Sequence, residues 1–202
     1  SWRADWRKIS LSCLASEEFL TCTQCSLHQW RTQVVPGHGA RDAWLALIGE
    51  APGAHEDAMG EPFVGPAGKR LDSLLDKVGL YRGNIWLDNL AHCRPPGNAI
   101  RDYPDAISRC PDLWLFPTLA KLPELRVIIA MGATAGSLWF PGKSATEIST
   151  LARSSAPYIV VGSFHPSYAL RTGGEWNEVD VSIVASLRRA MRYGSLANGG
   201  KK

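Results

Sequence analysis

The chain lacks any long apolar run. Nothing in its 202 residues approaches the ~18–20 consecutive apolar residues of a membrane-spanning helix. The opening SWRADWRKIS has no apolar stretch of a secretory leader either. The expectation is a cytoplasmic protein with no membrane partner. Charge of one sign is also scarce: 22 basic residues against 19 acidic ones leave +3. That balance permits a nucleic-acid partner without arguing for one. No internal repeat is visible, and the GxxxxGK[ST] phosphate loop is missing, because Arg70 follows Gly68-Lys69. Cysteine is sparse, at five. In a reducing compartment a few clustered thiols bind metal more often than they form disulfides.

What is present reads as one domain over residues 1–202, folded from about residue 10 to 193, with a disordered tail over 194–202. Four short apolar runs have the character of buried parallel strands. They are 44–49 (WLALIG), 84–90 (NIWLDNL), 126–131 (RVIIAM) and 158–164 (YIVVGSF). Helical spacing falls between and after them. Residues 68–78 carry Leu71, Leu74, Leu75 and Val78 on one face, and further helices are expected within 104–122 and over 133–139. The last, 180–193, sets Val181, Val184, Leu187 and Met191 on one stripe. This alternation predicts an α/β sandwich on a mainly parallel sheet.

In such sheets ligands bind outside the carboxyl ends of the strands. The four runs end in Gly49-Glu50-Ala51-Pro52-Gly53, Asp88-Asn89-Leu90, Gly132-Ala133-Thr134 and His165-Pro166-Ser167. Glu50, Asn89 and His165 are therefore expected to meet in one pocket.

Four of the cysteines form two pairs, Cys22-x2-Cys25 and Cys93…Cys110, with sixteen residues inside the second pair. Four thiolates complete a site for zinc or for an iron–sulfur cluster, and spacing does not separate the two. The plain alternative is four buried thiols that act as small hydrophobes. Cys13 is left over as an ordinary thiol.

Residues 49–71 read GEAPGAHEDAMGEPFVGPAGKRL, dense in glycine, proline and acid just after a strand. Glu50 and Glu56 can position a water, and Phe63 can offer a flat face. Taken singly, Glu50 reads as a capping acid and Phe63 as core. The start of the next helix, Gly65-Pro66-Ala67-Gly68 before Lys69, presents backbone N–H groups that suit a phosphate. After His165-Pro166-Ser167 come Tyr168, Leu170 and Arg171, a mix of apolar and basic groups suited to pushing into a base stack while gripping phosphate.

Together, GEAPG…ED…G-x-PFVG-x-AG (49–68), DNLAHCRPPGN (88–98), HPSYAL (165–170) and the four-cysteine frame resemble the family 4, iron–sulfur uracil-DNA glycosylases. The likeness covers residues 22–193. It implies a three-layer α/β/α sandwich with a central four-stranded, mainly parallel sheet. It implies a structural [4Fe-4S] cluster on Cys22, Cys25, Cys93 and Cys110, and hydrolysis of the N-glycosidic bond of deoxyuridine in single- or double-stranded DNA by a monomer. Glu50, Glu56 and His165 take the catalytic positions. Gly49, Ala51, Phe63 and Asn89 take the substrate-binding ones, and Gly65, Lys69, Ser167, Tyr168, Leu170 and Arg171 touch DNA. Rival readings are a sibling glycosylase for hypoxanthine or xanthine and a non-catalytic uracil- or DNA-binding module. Two departures stand out. Ala91-His92 replaces the Val-Lys often found before Cys-Arg-Pro-Pro. No histidine lies between Cys93 and His165, unlike in the related glycosylases that trap abasic DNA covalently, so no covalent trapping is expected.

Overall fold

A computed structural model describes residues 15–174 and 176–198. Cys13 and residues 199–202 of the expected tail lie outside the described residues. The apolar runs form the centre of a six-stranded sheet in the order β1-β3-β2-β4-β6-β5. The four central strands are β2 (Leu45–Gly49), β3 (Trp86–Asn89), β4 (Val127–Met131) and β6 (Tyr158–Ser163), all parallel. This is the expected four-stranded parallel core. Two short antiparallel edges extend it: β1 (His38–Gly39) on β3, and β5 (Ala152–Ser155) on β6. Their periodicity is too short to read from sequence.

Every residue of β2, β3 and β4 is buried, as a sheet covered on both faces requires. Alternation assigns the sides. Leu45 and Leu47 point into a core with Leu71, Leu74 and Leu75 of helix α3 (Pro66–Asp76) and Ile183, Val184 and Leu187 of helix α9 (Glu178–Asn198). Ala46 and Ile48 point the other way. They meet Leu119 of α5 (Phe116–Leu119), Ala135 of α6 (Gly132–Gly136) and Ile148 of α7 (Ala145–Ile148). The result is the three-layer sandwich. A third cluster surrounds Cys93 and Cys110 and includes Phe19 of α1 (Glu17–Leu20), Leu90 and Ala106 of α4 (Pro104–Cys110).

Details of the helices differ from expectation. α3 starts at Pro66, because proline suits a first turn whose N–H has no partner. α9 runs on to Asn198, five residues past its expected end and into the expected tail. Val181 does not share its buried stripe; it is 50% exposed, and Val179, Ile183 and Val184 carry the contact instead. The segment within 104–122 is α4 and α5 joined by a π-helical turn at Pro111–Leu115. Pro111 and Pro117 each remove an N–H from it. Among the described residues, no helix is long and apolar enough to cross a membrane.

β2 is the switch point: the chain goes to β3 on one side of it and returns to β4 on the other. Helix α2 (Ala54–Met59) and α3 follow β2, and helix α8 (Pro166–Thr172) follows β6. All their first turns lie at the carboxyl ends of the strands, where a cleft opens.

Candidate active site

The cleft encloses about 480 Å3, and its walls include Glu50, Ala51, Glu56, Phe63, Asn89 and His165. The three residues expected to converge do so, from three different strands.

Asn89 ends β3. It is 3% exposed, and its side-chain amide has no protein partner among the described residues. Its backbone N–H donates to Asp88 Oδ1 at 2.8 Å. Gly49, its register partner on β2, has no side chain for a reason. A Cβ there would sit 2.5 Å from Asn89 Oδ1 and 2.6 Å from Phe63 Cζ. The bare backbone at Gly49 lets the amide and the phenyl ring come together.

Phe63 is both core and cleft wall, 5% exposed. It holds a left-handed backbone, φ 57°, unusual for a bulky residue. Two features fix it there. Arg82 donates to the carbonyls of Pro62 (3.2 Å) and Phe63 while paired with Asp72 at 2.7 Å. Gly68 lies against the Phe63 carbonyl, where any side chain would collide.

The two acids occupy different settings. Glu50 follows β2 and accepts from the Thr134 hydroxyl at the start of α6, across the switch point. Glu56, in α2, accepts from Gly53 N–H at 3.1 Å and Gly65 N–H at 2.7 Å. It brackets the two glycine loops. This corrects one expectation: the Gly65 N–H is engaged by Glu56 and is not free for a phosphate, although Gly65 lines the cleft.

His165 caps α8. Its Nδ1 accepts from Ser167 N–H at 3.2 Å and lies 2.8 Å from Ser167 Oγ, which Arg171 approaches at 3.4 Å. An Nδ1 that accepts leaves the proton on Nε2. Burial, then the Arg171 charge, lowers the His165 pKa to about 4, with Glu56 opposing. At neutral pH the ring is therefore uncharged and still a donor. Around the mouth, Ser167, Leu170 and Arg171 line the cleft. Leu170 and Tyr168 are exposed, the latter stacked on Phe164 at 5.4 Å with Arg171 over its ring. Lys69 is exposed one turn into α3 and does not line the cleft.

Beside this site, Cys25, Cys93 and Cys110 pack in one cluster with Leu90 and Ala91, the residues that follow β3. Cys22, Cys25, Cys93 and Cys110 are unbridged. Three of the sulfurs meet ring or guanidinium nitrogens, each at 3.2 Å: Trp114 Nε1 on Cys22, Arg31 on Cys93 and His92 Nδ1 on Cys110. The Trp114 and Arg31 N–H groups are donors that suit thiolates. Burial pushes the Cys93 thiol up to about 12 against the opposing Arg31, so a bound metal would supply the charge that keeps it ionised. The donor set fits a metal–thiolate centre. Among the described residues no group of three His, Cys, Asp or Glu closes on a point that would seat a single ion.

Several residues of the site were not anticipated. Thr134 was visible only as a strand-end residue. Pro95, Asn98 and Ile100 line the cleft from inside the Cys93–Cys110 interval; the motif over 88–98 takes in the first two, and nothing local in the sequence signals Ile100. Asp57, 4% exposed, accepts from Thr32 N–H at 2.9 Å and pins the segment after Cys25 to α2. The "ED" of the first motif was the available signal.

A profile of the Uracil DNA glycosylase superfamily matches residues 36–185. The type-4 uracil-DNA glycosylase of Thermotoga maritima is 35% identical over 184 residues, covering 89% of this chain and 93% of that protein. That of Sulfurisphaera tokodaii is 33% identical over 167 residues, 76% and 73% of the two chains. A type-5 uracil-DNA glycosylase of Thermus thermophilus is 35% identical over 115 residues, about half of each chain at 50% and 51%. With its parallel sheet, its switch-point cleft and these relatives, the chain belongs to the uracil-DNA glycosylase superfamily, among the type-4 uracil-DNA glycosylases.

Proposed function

We propose that the protein excises uracil from DNA in base-excision repair, hydrolysing the N-glycosidic bond and leaving an abasic site. The observation that carries this reading is the meeting of Asn89, Phe63, His165 and Glu50 in one cleft. A base inside a duplex is out of reach, so it must be flipped out, at a few kcal/mol. Phe63 offers its ring for stacking. Asn89, with both amide functions free, pairs with uracil O4 and N3–H. Cytosine reverses that pattern and leaves buried polar groups unpaired, at ~1–3 kcal/mol for each.

As the glycosidic bond breaks, negative charge develops on uracil O2. A neutral imidazole that donates from Nε2 stabilises that charge without first losing a proton to it. Water then attacks the sugar cation. Glu50 is the better-placed acid for this water, because both oxygens of Glu56 already hold backbone N–H groups. Glu56 shapes the loops around the sugar instead. Leu170 and Tyr168 fill the gap left by the flipped base, while Arg171 and Lys69 meet phosphates. The enzyme acts as a monomer on single- or double-stranded DNA.

Cys22, Cys25, Cys93 and Cys110 hold a [4Fe-4S] cluster in this reading. When bound, it supplies a structural staple and no electron-transfer step. The test is incubation with uracil-containing DNA followed by alkali. Strand scission at uracil supports the proposal, and no scission beside an active control sinks it. A brown protein absorbing near ~400 nm supports iron–sulfur over zinc.

A further inference from the structure

The excision chemistry leaves His92 without a role. It is 1% exposed. One ring nitrogen, Nδ1, lies 3.2 Å from Cys110 Sγ, and the other, Nε2, lies 2.8 Å from Asp88 Oδ1. That same carboxylate oxygen accepts the backbone N–H of Asn89 at 2.8 Å, while Oδ2 accepts from Trp86 Nε1 at 3.1 Å. The imidazole is held in place from the side by Phe19, edge-on at 4.8 Å. Phe19 in turn stacks on Trp114, the residue that donates to Cys22. One unbroken run of contacts therefore joins a cysteine of the proposed centre to the end of the base-reading strand.

We propose that His92, through Asp88, is a positioning residue that couples the cysteine centre to the uracil-reading amide of Asn89. It rests on the reading that Asn89 recognises uracil and that the four cysteines hold a cluster. The physical case has two halves. A hydrogen bond to a ligating sulfur tunes a cluster and orients its ligand. A carboxylate held by that same ring fixes the peptide at which Asn89 leaves the strand. An amide that must pair two atoms of a base tolerates little displacement: ~1 Å can cost on the order of 10²-fold. Loss of the histidine should disturb both ends of the run together.

The experiment compares the iron-loaded wild type with His92→Leu, which can bond neither partner, and His92→Gln, whose single amide cannot span both. Iron per chain, the cluster's midpoint potential, the inhibition constant of free uracil and kcat on uracil-containing DNA are measured in each. His92→Leu should keep its iron, because all four cysteines remain. Its midpoint potential should shift, and its inhibition constant for free uracil should rise about tenfold, the usual scale for loss of an outer-shell partner. Its kcat should change less, and His92→Gln should fall between. A potential that moves while uracil affinity holds, or a fall in thermal stability alone, overturns the proposal.

Should His92→Leu fail to fold, pulsed EPR on the reduced wild type with 15N-labelled histidine gives the deciding signal. Nitrogen coupling to the cluster that His92→Gln alters supports the contact, and no coupling overturns it. A wild type without iron, or without uracil release, overturns the reading beneath and this proposal with it, and the wild-type controls show which.

Discussion

At the level of single residues, the site is set as much by what is missing as by what is there. Gly49 is the clearest case, because Asn89 and Phe63 can approach each other only over a backbone with no Cβ. Gly49→Ala should raise KM for uracil-containing DNA at least about tenfold and cost ~1–3 kcal/mol of stability through overpacking. Steady-state kinetics and urea unfolding would check both. His165 supplies a pH test. Its folded pKa, about 4, lies below the ordinary 6.5, so folding favours the neutral ring. The stability this provides is fully present above pH 6.5 and is lost as pH falls through about 4. His165→Gln should therefore flatten the fall in unfolding free energy between pH 6.5 and 4. An unchanged slope would show that the ring is not held neutral.

Among the elements, the joint between α3, α8 and α9 carries the mouth of the cleft. Asp180, with a fully buried side chain, receives Arg70 Nη2 at 2.6 Å and Nε at 2.9 Å, and Asn177 N–H at 2.9 Å. Asn177 also donates to the Ala169 and Gly173 carbonyls at the end of α8. Arg70→Ala leaves a buried carboxylate with one neutral donor from that set, and should cost ~3–5 kcal/mol in urea unfolding. A double replacement with Asp180→Asn should recover part of the loss, since no buried charge is then stranded. Asp180 and Arg70 stand 110 residues apart, and no pattern in either helix pairs them. The helices themselves were legible, because leucines at helical spacing mark α3 and aliphatics mark α9. Their exact faces were less so: Val181 shares the apolar spacing but points to solvent, because the partner surface, not the spacing, selects which side is covered.

Across the whole molecule, the proposed centre on Cys22, Cys25, Cys93 and Cys110 would tie the segment before the sheet to the loop that leaves β3. The interval between Cys93 and Cys110 supplies Pro95, Asn98 and Ile100 to the cleft wall. On the proposed [4Fe-4S] reading, chelation or Cys110→Ser bleaches the protein and opens residues 94–109 to protease before the sheet core. It should also lower uracil excision by at least about tenfold, on the usual scale of metal-site damage. Limited proteolysis with mass mapping, read beside activity, would check this; core strands cut at the same rate would argue against a local staple.

The four parallel strands, the helices between them and the strand-end positions of Glu50, Asn89 and His165 are written in the local pattern of the chain. Each of these is a local signal: an apolar run, a periodicity, or a residue placed just after a strand. The same pattern also singled out the cysteine pairs as a candidate metal frame. Long-range packing sets the edge strands, the bracket that Glu56 forms between Gly53 and Gly65, the Thr134 hydroxyl on Glu50, and the run from Cys110 through His92 to Asp88. These join residues distant in the chain, or depend on which hydrogen-bond partner wins when several are near. Such choices are made by packing, where a buried polar group takes the partner that geometry brings within reach.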